Sequence, residues 1–292
     1  MNYEKISFQE FYSTVNSEEK AVEMVWKFKE SERSYQCTKC RCKKFYTIKK
    51  RPGVRECKKC GYNNRVRKNT IFENSNIPLQ SWLQALYLMM TDKLGVSALT
   101  LEKKISISYK SALLMQRKIR RALQQRDQKY KLEGLVEVDG TKIGKRATGN
   151  QKQILVAVEK IDYKDKDGRK LQKAGFAKLL LAPENQKSVE SFIQKSIRRF
   201  SNVHTDYHGS YINGVEGYNV SSKAMYSDPI RLNEWLPMVH KITTNLKTWV
   251  LGTYHGVWGE YVDLYIAEYI YRFNRRHDEG SYFTRALKAC VT

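Results

Sequence analysis

The chain has 292 residues, of which 41% are hydrophobic, enough to bury the cores of two small domains or of one large domain with an appendage. No apolar run reaches the about 18 residues of a membrane span, and residues 1–20 lack a signal-peptide pattern. These features exclude an integral membrane protein and predict a cytoplasmic one.

The formal net charge of +23 is concentrated in the first half of the chain. Residues 27–68 hold 16 Lys and Arg against 3 Asp and Glu, and residues 93–131 hold 11 against 2, whereas residues 132–292 carry an excess of only 6. Neutralised phosphates release condensed counterions, so such a localised excess favours nucleic acid as the partner. The alternative is a charge that serves solubility alone.

Residues 1–32 are a polar lead-in, and residues 33–72 contain two cysteine pairs, Cys37-x-x-Cys40 and Cys57-x-x-Cys60, with 16 residues between them. In a cytosolic chain, such pairs indicate a metal site rather than disulfides. Four thiolates can surround a structural Zn²⁺ tetrahedrally, and the ion would fold a segment too small for its own core. This is a zinc-ribbon pattern, and Cys42 and Cys290 lie outside it.

Basic side chains of this ribbon alternate with aromatic ones, which suits DNA-backbone contact and stacking. The predicted DNA-binding lysines are Lys43, Lys44, Lys49 and Lys50. A solvated ribbon that contacts another protein is the alternative.

Residues 78–131 are predicted to be helical, with an apolar helix over 81–90 and two further helices over 97–125, on either side of a break at 105–108. Small residues in the first of these two, a short turn and a basic second helix fit a helix-turn-helix. We expect Tyr109, Lys110 and Gln116 to approach base edges, and phosphates to be held by Arg117, Arg120 and Arg121. A plain three-helix packing module is the alternative.

From residue 132 the pattern changes to short β-rich runs, over 135–139, 153–159, 176–182 and 202–206. Helical stretches cover 185–200, 237–254 and 261–273, so the order is β-β-β-α-β-α-α, with a hairpin-like excursion at 162–173. We predict an α/β fold for 132–292: a ribonuclease-H-like mixed sheet with helices on both faces.

Two aspartates stand at the ends of predicted strands, Asp139 after the first and Asp206 after the fourth. In a ribonuclease-H-like sheet these strands are neighbours, so the two carboxylates would converge. Carboxylates are hard oxygen ligands for Mg²⁺, and two such ions can activate an attacking oxygen and stabilise a leaving one. Ordinary strand-terminal aspartates are the alternative.

The chain resembles bacterial insertion-sequence transposases of the DDE type with an N-terminal zinc ribbon, the IS-fifteen-ninety-five family. The resemblance covers about residues 8–291 and rests on the four cysteines, Val138-Asp139 with Gly144-Lys145-Arg146, and His204-Thr205-Asp206-Tyr207. Its most specific runs are 246–256, Leu-Lys-Thr-Trp-Val-Leu-Gly-Thr-Tyr-His-Gly, and 271–276, Tyr-Arg-Phe-Asn-Arg-Arg. The resemblance implies a ribonuclease-H-like fold, Mg²⁺ or Mn²⁺, and cleavage and joining of transposon ends.

The chain departs from the pattern at the third active-site position, where the superfamily usually has Glu and some branches of this family have Asn. Alignment through Lys247 puts His240 there, 34 positions after Asp206. His240 and Lys247 share a helix face, since they are seven residues apart, and Lys247 is expected to hold a DNA phosphate. Asn245 is the other candidate, although it points about 140° away on an ideal helix.

These features predict a nucleoid-associated transposase that acts on double-stranded DNA, transposon ends and target, as a homodimer or higher oligomer. Two alternatives are a non-catalytic zinc-ribbon, helix-turn-helix regulator or degenerate transposase, and a nuclease of the same fold that joins no strands.

The basic segments 27–68 and 93–131 predict that salt weakens DNA binding steeply. With six or more phosphate contacts, affinity should fall about a thousandfold between about 50 and 200 mM salt. Titration of a labelled end fragment at several salt concentrations measures the slope, and a flat dependence would contradict the role given to these segments.

Overall fold

The computed structural model describes residues 6–32, 34–144, 151–206, 209, 215–223, 234–256, 259–277 and 282–291. By its contacts the chain divides into two compact units. Residues 1–126 and 277–292 form the first unit, and residues 127–276 form the second. Among the described residues, no helix is both long and apolar enough to cross a membrane.

The first unit combines a small antiparallel sheet with helices. Its helices are α1 (Phe8–Thr14), α2 (Glu18–Glu32), α3 (Leu79–Thr91), α4 (Ala98–Ile105), α5 (Tyr109–Asp127) and the C-terminal helix, Tyr282–Val291. Strands β1 (Phe45–Thr47), β2 (Val54–Cys57) and β3 (Asn63–Arg65) pair in that order.

Aromatic side chains from both ends of the sequence build the core of this unit. Phe11 of α1 stacks on Tyr87 of α3 with ring centroids 4.1 Å apart, and it meets Phe283 edge-on at 4.9 Å. Phe11, Trp82 and Phe283 are fully buried. Sequence reasoning grouped 282–291 with the 132–292 segment, whereas the structure packs this helix against α2 and α3.

The second unit is built on a five-stranded mixed sheet in the order β6-β5-β4-β7-β8. The strands are β4 (Leu135–Ile143), β5 (Lys152–Lys164), β6 (Lys170–Leu181), β7 (Asn202–Asp206) and β8 (Asn219–Lys223). The β4–β5 and β5–β6 pairs are antiparallel, while β4–β7 and β7–β8 are parallel.

Helices cover both faces of this sheet because its central strands are apolar on both sides. Ile154, Val156 and Val158 of β5 pack with α7 (Pro237–Tyr254) and α8 (Val262–Asn274) on one face. Leu155 and Ala157 pack with α6 (Gln186–Ser196) on the other. Because successive residues of a strand point to opposite faces, the sheet lies between two layers of helices. The helix Tyr282–Val291 of the first unit is numbered α9.

The sheet differs from the sequence-based prediction in three features. β5 and β6 extend into residues 162–173, where only a hairpin-like excursion was expected. β4 continues four residues past Asp139 to Ile143, because residues 140–143 pair with β5. The fifth strand, β8, has the sequence Asn-Val-Ser-Ser-Lys, whose single apolar residue provides little strand pattern.

Side chains of residues 271–276, at the end of α8, form hydrogen bonds with the backbone of the edge strand β6. The Asn274 amide accepts a hydrogen bond from Ala177 N at 2.7 Å and donates to Ala177 O at 3.0 Å, as a neighbouring strand would. The guanidinium of Arg276 donates to Ala174 O and Gly175 O, and Arg275 pairs with Asp127 at 2.8 Å. These contacts cover backbone groups that an edge strand would otherwise expose.

Replacement of Asn274 by Ala should leave both backbone groups of Ala177 buried and unpaired. We expect a loss of about 2–3 kcal/mol in the free energy of unfolding of the second unit, measured by urea denaturation. Hydrogen exchange at the Ala177 amide should accelerate. The exposed Asn219 of β8 gives a matched control, Asn219→Ala, which should change stability by about 0.5 kcal/mol or less. Equal effects of the two variants would contradict this role.

Candidate active site and cysteine cluster

The parallel pairing of β4 with β7 brings Asp139 and Asp206 together. Val138 lies opposite Thr205 in the register, so the next residue on each strand is an aspartate. Both side chains are half-buried. Asp139 therefore marks the end of the parallel pairing rather than the end of its strand.

The surroundings of Asp139 oppose its negative charge. Burial, followed by the negative charges of Asp206 and Glu184, raises the pKa of Asp139 to about 7. The N–H of Gly140, which donates to Asp139 Oδ1 at 2.7 Å, and the charge of Lys247 offset part of this shift in pKa. Such a carboxylate cluster favours a bound cation, which would stabilise the charged forms.

Glu137, two residues before Asp139, fixes the start of α7. Its fully buried carboxylate accepts hydrogen bonds from the backbone N–H groups of Met238 at 2.7 Å and Val239 at 3.1 Å. Lys160 of β5 approaches the other oxygen at 3.4 Å. Burial nevertheless raises the pKa of Glu137. Since α7 itself has no capping side chain at Leu236, this carboxylate satisfies helix N–H groups that would otherwise be unpaired.

The anchored helix carries His240 and Lys247 towards the aspartates. Burial lowers the pKa of His240, and the charge of Lys247 lowers it further, while Asp206 acts in the opposite direction. Lys247 Nζ donates to Thr141 Oγ1 at 3.3 Å, two residues beyond Asp139 on β4. Asn245 lies on an exposed part of the helix. The structure thus groups His240 and Lys247 with the aspartates, and leaves Asn245 in solvent.

An aromatic stack supports β7 beside Asp206. His204 and Trp235 stack with centroids 4.1 Å apart, and the indole N–H of Trp235 donates to Thr205 O at 2.9 Å. Lys223 Nζ lies 4.0 Å from the Trp235 ring centroid. The motif residues Lys145, Arg146 and Tyr207 lie outside the described residues.

Glu184, which the sequence analysis did not select, is the second acid, after Asp206, whose charge acts on Asp139. It lies between β6 and α6, and its Oε2 accepts a hydrogen bond from Gln153 Nε2 at 2.7 Å. Its position two residues before the start of α6, after the third strand, was the only available signal. That signal is weak, because acids are common near helix starts for capping reasons alone.

The four predicted cysteine ligands converge in the first unit. All four sulfur atoms lie within 4.8 Å of one another, with Cys37–Cys60 at 3.6 Å and Cys40–Cys57 at 3.5 Å. A tetrahedron with metal–sulfur bonds of about 2.3 Å has edges of about 3.8 Å. The geometry therefore fits one metal ion.

Each cysteine pair forms the same backbone knuckle. Arg41 N donates to Cys37 O at 2.9 Å, and Gly61 N donates to Cys57 O at 3.0 Å. Both donors have positive φ, 59° and 65°. Burial acts to raise the pKa of the Cys37 thiol, but the N–H groups of Cys40 and Lys39 bring that pKa below its usual range. These two N–H groups thereby favour the thiolate form of Cys37, which is the form that metals bind.

The predicted DNA-binding residues fall into two groups. Exposed or half-buried side chains belong to Lys43, Lys44, Lys49, Lys50, Tyr109, Lys110, Arg117 and Arg121. Gln116 and Arg120, by contrast, are only 1% exposed, and Gln116 donates to Val96 O at 2.7 Å. The predictions of DNA contact for Gln116 and Arg120 are therefore wrong for this conformation, because both side chains are part of the core under α5.

Comparison with known families defines the class of the second unit. Residues 131–274 match the family model described as the ISXO2-like transposase domain. The second unit is thus a transposase domain, and this class of protein acts on DNA. Through this match, the second unit belongs to the IS-fifteen-ninety-five family of DDE-type transposases. No curated protein matches the chain.

The cysteine geometry predicts about one bound metal ion per chain. Cys37→Ser or Cys60→Ser should release it, because one of four thiolate ligands is lost. Elemental analysis of the freshly purified protein measures the content. Cys42→Ser is the matched control, since Cys42 lies outside the cluster, and it should keep the ion. A wild-type protein without metal would contradict the assignment.

Proposed function

We propose that the chain is an active transposase that binds insertion-sequence ends and carries out metal-dependent cleavage and strand transfer of DNA. The observation that carries this proposal is the register of β4 and β7, which sets Asp139 and Asp206 side by side on neighbouring parallel strands. A second unit with a ribonuclease-H-like fold is part of the proposal. The strand order β6-β5-β4-β7-β8, with β5 antiparallel and helices on both faces, supports it.

The aspartates have the chemistry to hold Mg²⁺ or Mn²⁺. Both ions prefer carboxylate oxygens, and the mutual repulsion of Asp139 with Asp206 and Glu184 would be relieved by a cation. Bound there, divalent ions would activate the attacking oxygen and stabilise the leaving one.

His240 is the proposed third residue of the active site. The lowered pKa of His240 favours a neutral imidazole, which can bind a metal or accept a proton from the attacking group. Lys247, whose Nζ donates a hydrogen bond to Thr141 two residues beyond Asp139, would hold a phosphate oxygen of the DNA. The exposed position of Asn245 favours His240 over it.

The first unit is proposed to bind the transposon ends. Its cysteine cluster would hold zinc, the usual ion of closed four-thiolate sites. The exposed ribbon lysines would contact DNA, together with the exposed α5 residues Tyr109, Lys110 and Arg121 and the half-buried Arg117. Helices α4 and α5 are proposed as a helix-turn-helix. Their junction supports it: Ser106 is left-handed at φ 53°, and the Glu102 carboxylate accepts from Tyr109 N at 3.2 Å. We propose that the protein assembles on DNA as a homodimer or higher oligomer.

Asp139→Asn and Asp206→Asn should each lower strand joining at least about a thousandfold, equivalent to about 4 kcal/mol of transition-state stabilisation, because a carboxylate ligand becomes neutral. The assay incubates a pre-cleaved end with a target plasmid in Mg²⁺ and measures joined product. Binding of the end should change little. The exposed Asp167 provides the control Asp167→Asn, which should retain wild-type activity.

The same assay separates His240 from Asn245. We expect His240→Ala to slow joining and Asn245→Ala to retain it, while His240→Glu restores the usual acidic triad and keeps activity. An inactive Asn245→Ala beside a fully active His240→Ala would reverse the assignment. Cleavage without joining by the wild type would favour the nuclease, and binding without cleavage would favour the non-catalytic regulator.

A further inference from the structure

Glu184 approaches Asp139 from the connection between β6 and α6. The backbone of this connection continues the pairing with β5, since Ala182 N donates to Gln153 O at 3.2 Å. Two residues later, the Glu184 carboxylate accepts from the side chain of the same glutamine at 2.7 Å. Gln153 lies opposite Lys142 of β4. Two contacts with one residue therefore hold Glu184 over the part of β4 that follows Asp139.

The space that the Glu184 carboxylate occupies is created by Gly140. A Cβ atom built on Gly140 would lie 2.1 Å from the carboxyl carbon of Glu184 and 2.2 Å from each of its oxygens. Real Cβ atoms do not approach so closely, so any side chain at residue 140 would displace this carboxylate. Gly140 has no positive φ that would itself demand glycine. Glycine at this position allows the Glu184 carboxylate to lie close to the backbone of β4, next to Asp139.

A helix-capping role does not explain this position. Asn185 caps α6, and its Oδ1 accepts from Ser188 N at 3.0 Å. Glu184 instead lies within electrostatic range of Asp139, where like charges repel. A third acid adds to this repulsion unless a cation is shared. A further observation indicates a ligand here: the Nε2 atom of His240, close to Asp206, is buried and makes no hydrogen bond within the described residues.

We propose that Glu184 is the third carboxylate of the divalent-metal site, joining Asp139 and Asp206 from the β6–α6 connection. It would supply the negative charge that the third active-site position lacks, because that position holds His240. This inference rests on the proposed function, since it concerns the same metal site. It assigns Gly140 a role as well: the absence of a side chain there admits the ligand.

Binding of Mn²⁺ alone, followed by electron paramagnetic resonance of the full-length protein, tests the proposal without relying on activity. Glu184→Gln keeps the shape and the contact with Gln153 but removes the charge. We expect its Mn²⁺ affinity to fall at least about tenfold, with a parallel loss of strand joining. The exposed Glu216 gives the control Glu216→Gln, which should bind Mn²⁺ as the wild type does. Melting curves verify that each variant is folded.

Gly140→Ala provides a second route that alters no charge. It should displace the Glu184 carboxylate and weaken Mn²⁺ binding, and it should weaken binding little further when combined with Glu184→Gln. The proposal is overturned if Glu184→Gln binds Mn²⁺ with wild-type affinity while Asp139→Asn does not; the proposed function then stands with Asp139 and Asp206 alone. A wild-type protein that neither binds Mn²⁺ nor joins DNA overturns the proposed function, and the role of Glu184 with it.

Discussion

The acidic site depends on one buried carboxylate that is not itself part of it. Glu137 holds the first N–H groups of α7, and Lys160 offsets its charge inside the sheet. Breaking a buried pair of this kind costs several kcal/mol, because the remaining charge keeps its desolvation penalty. Since Glu137 and Asp139 share β4, the strand that carries one aspartate also sets the start of the helix that carries His240. The position of His240 is therefore coupled to that of Asp139 through one side chain and a few backbone bonds.

The candidate site of the second unit is assembled from segments far apart in sequence. β4 contributes Asp139, β7 contributes Asp206, the β6–α6 connection contributes Glu184, and α7 contributes His240 and Lys247. Each segment is held by contacts outside the candidate site. These are the parallel pairing of β4 with β7, the hydrogen bond from Gln153 to Glu184, and the hydrogen bonds from the start of α7 to Glu137. Because rigid elements carry these side chains, like charges can be held close together. The packing of the surrounding elements offsets the electrostatic repulsion between them. The same arrangement explains why the pKa of Asp139 is raised, by burial first and then by the charges of Asp206 and Glu184.

The sequence predicted those features that depend on local pattern. Apolar alternation located β7 at its observed bounds, and the cysteine spacing anticipated a cluster whose geometry rests on two short knuckles. Features that depend on contacts between distant parts of the chain were not predicted from the sequence. Glu184 reaches the site only through the fold of a connection, and β8 is specified by its neighbour rather than by its own residues. Gln116 and Arg120 could have been assigned to the interior, because they follow Ala112 at intervals of four, on the apolar stripe with Met115, Ile119 and Leu123. Their polarity outweighed this spacing in the sequence analysis.

The packing of α9 makes the first unit discontinuous in sequence, and this affects the order in which the protein can fold during synthesis. Residues 277–292 leave the ribosome after the whole of the second unit, yet Phe283 completes the aromatic core formed by Phe11 and Tyr87. Until α9 is present, Phe11 of α1 and Tyr87 of α3 lack their contact with the ring of Phe283. The transposase domain can therefore finish folding first, and the first unit reaches its native packing only after α9 has been synthesised. In the nascent chain, the first unit therefore completes its core after the second unit.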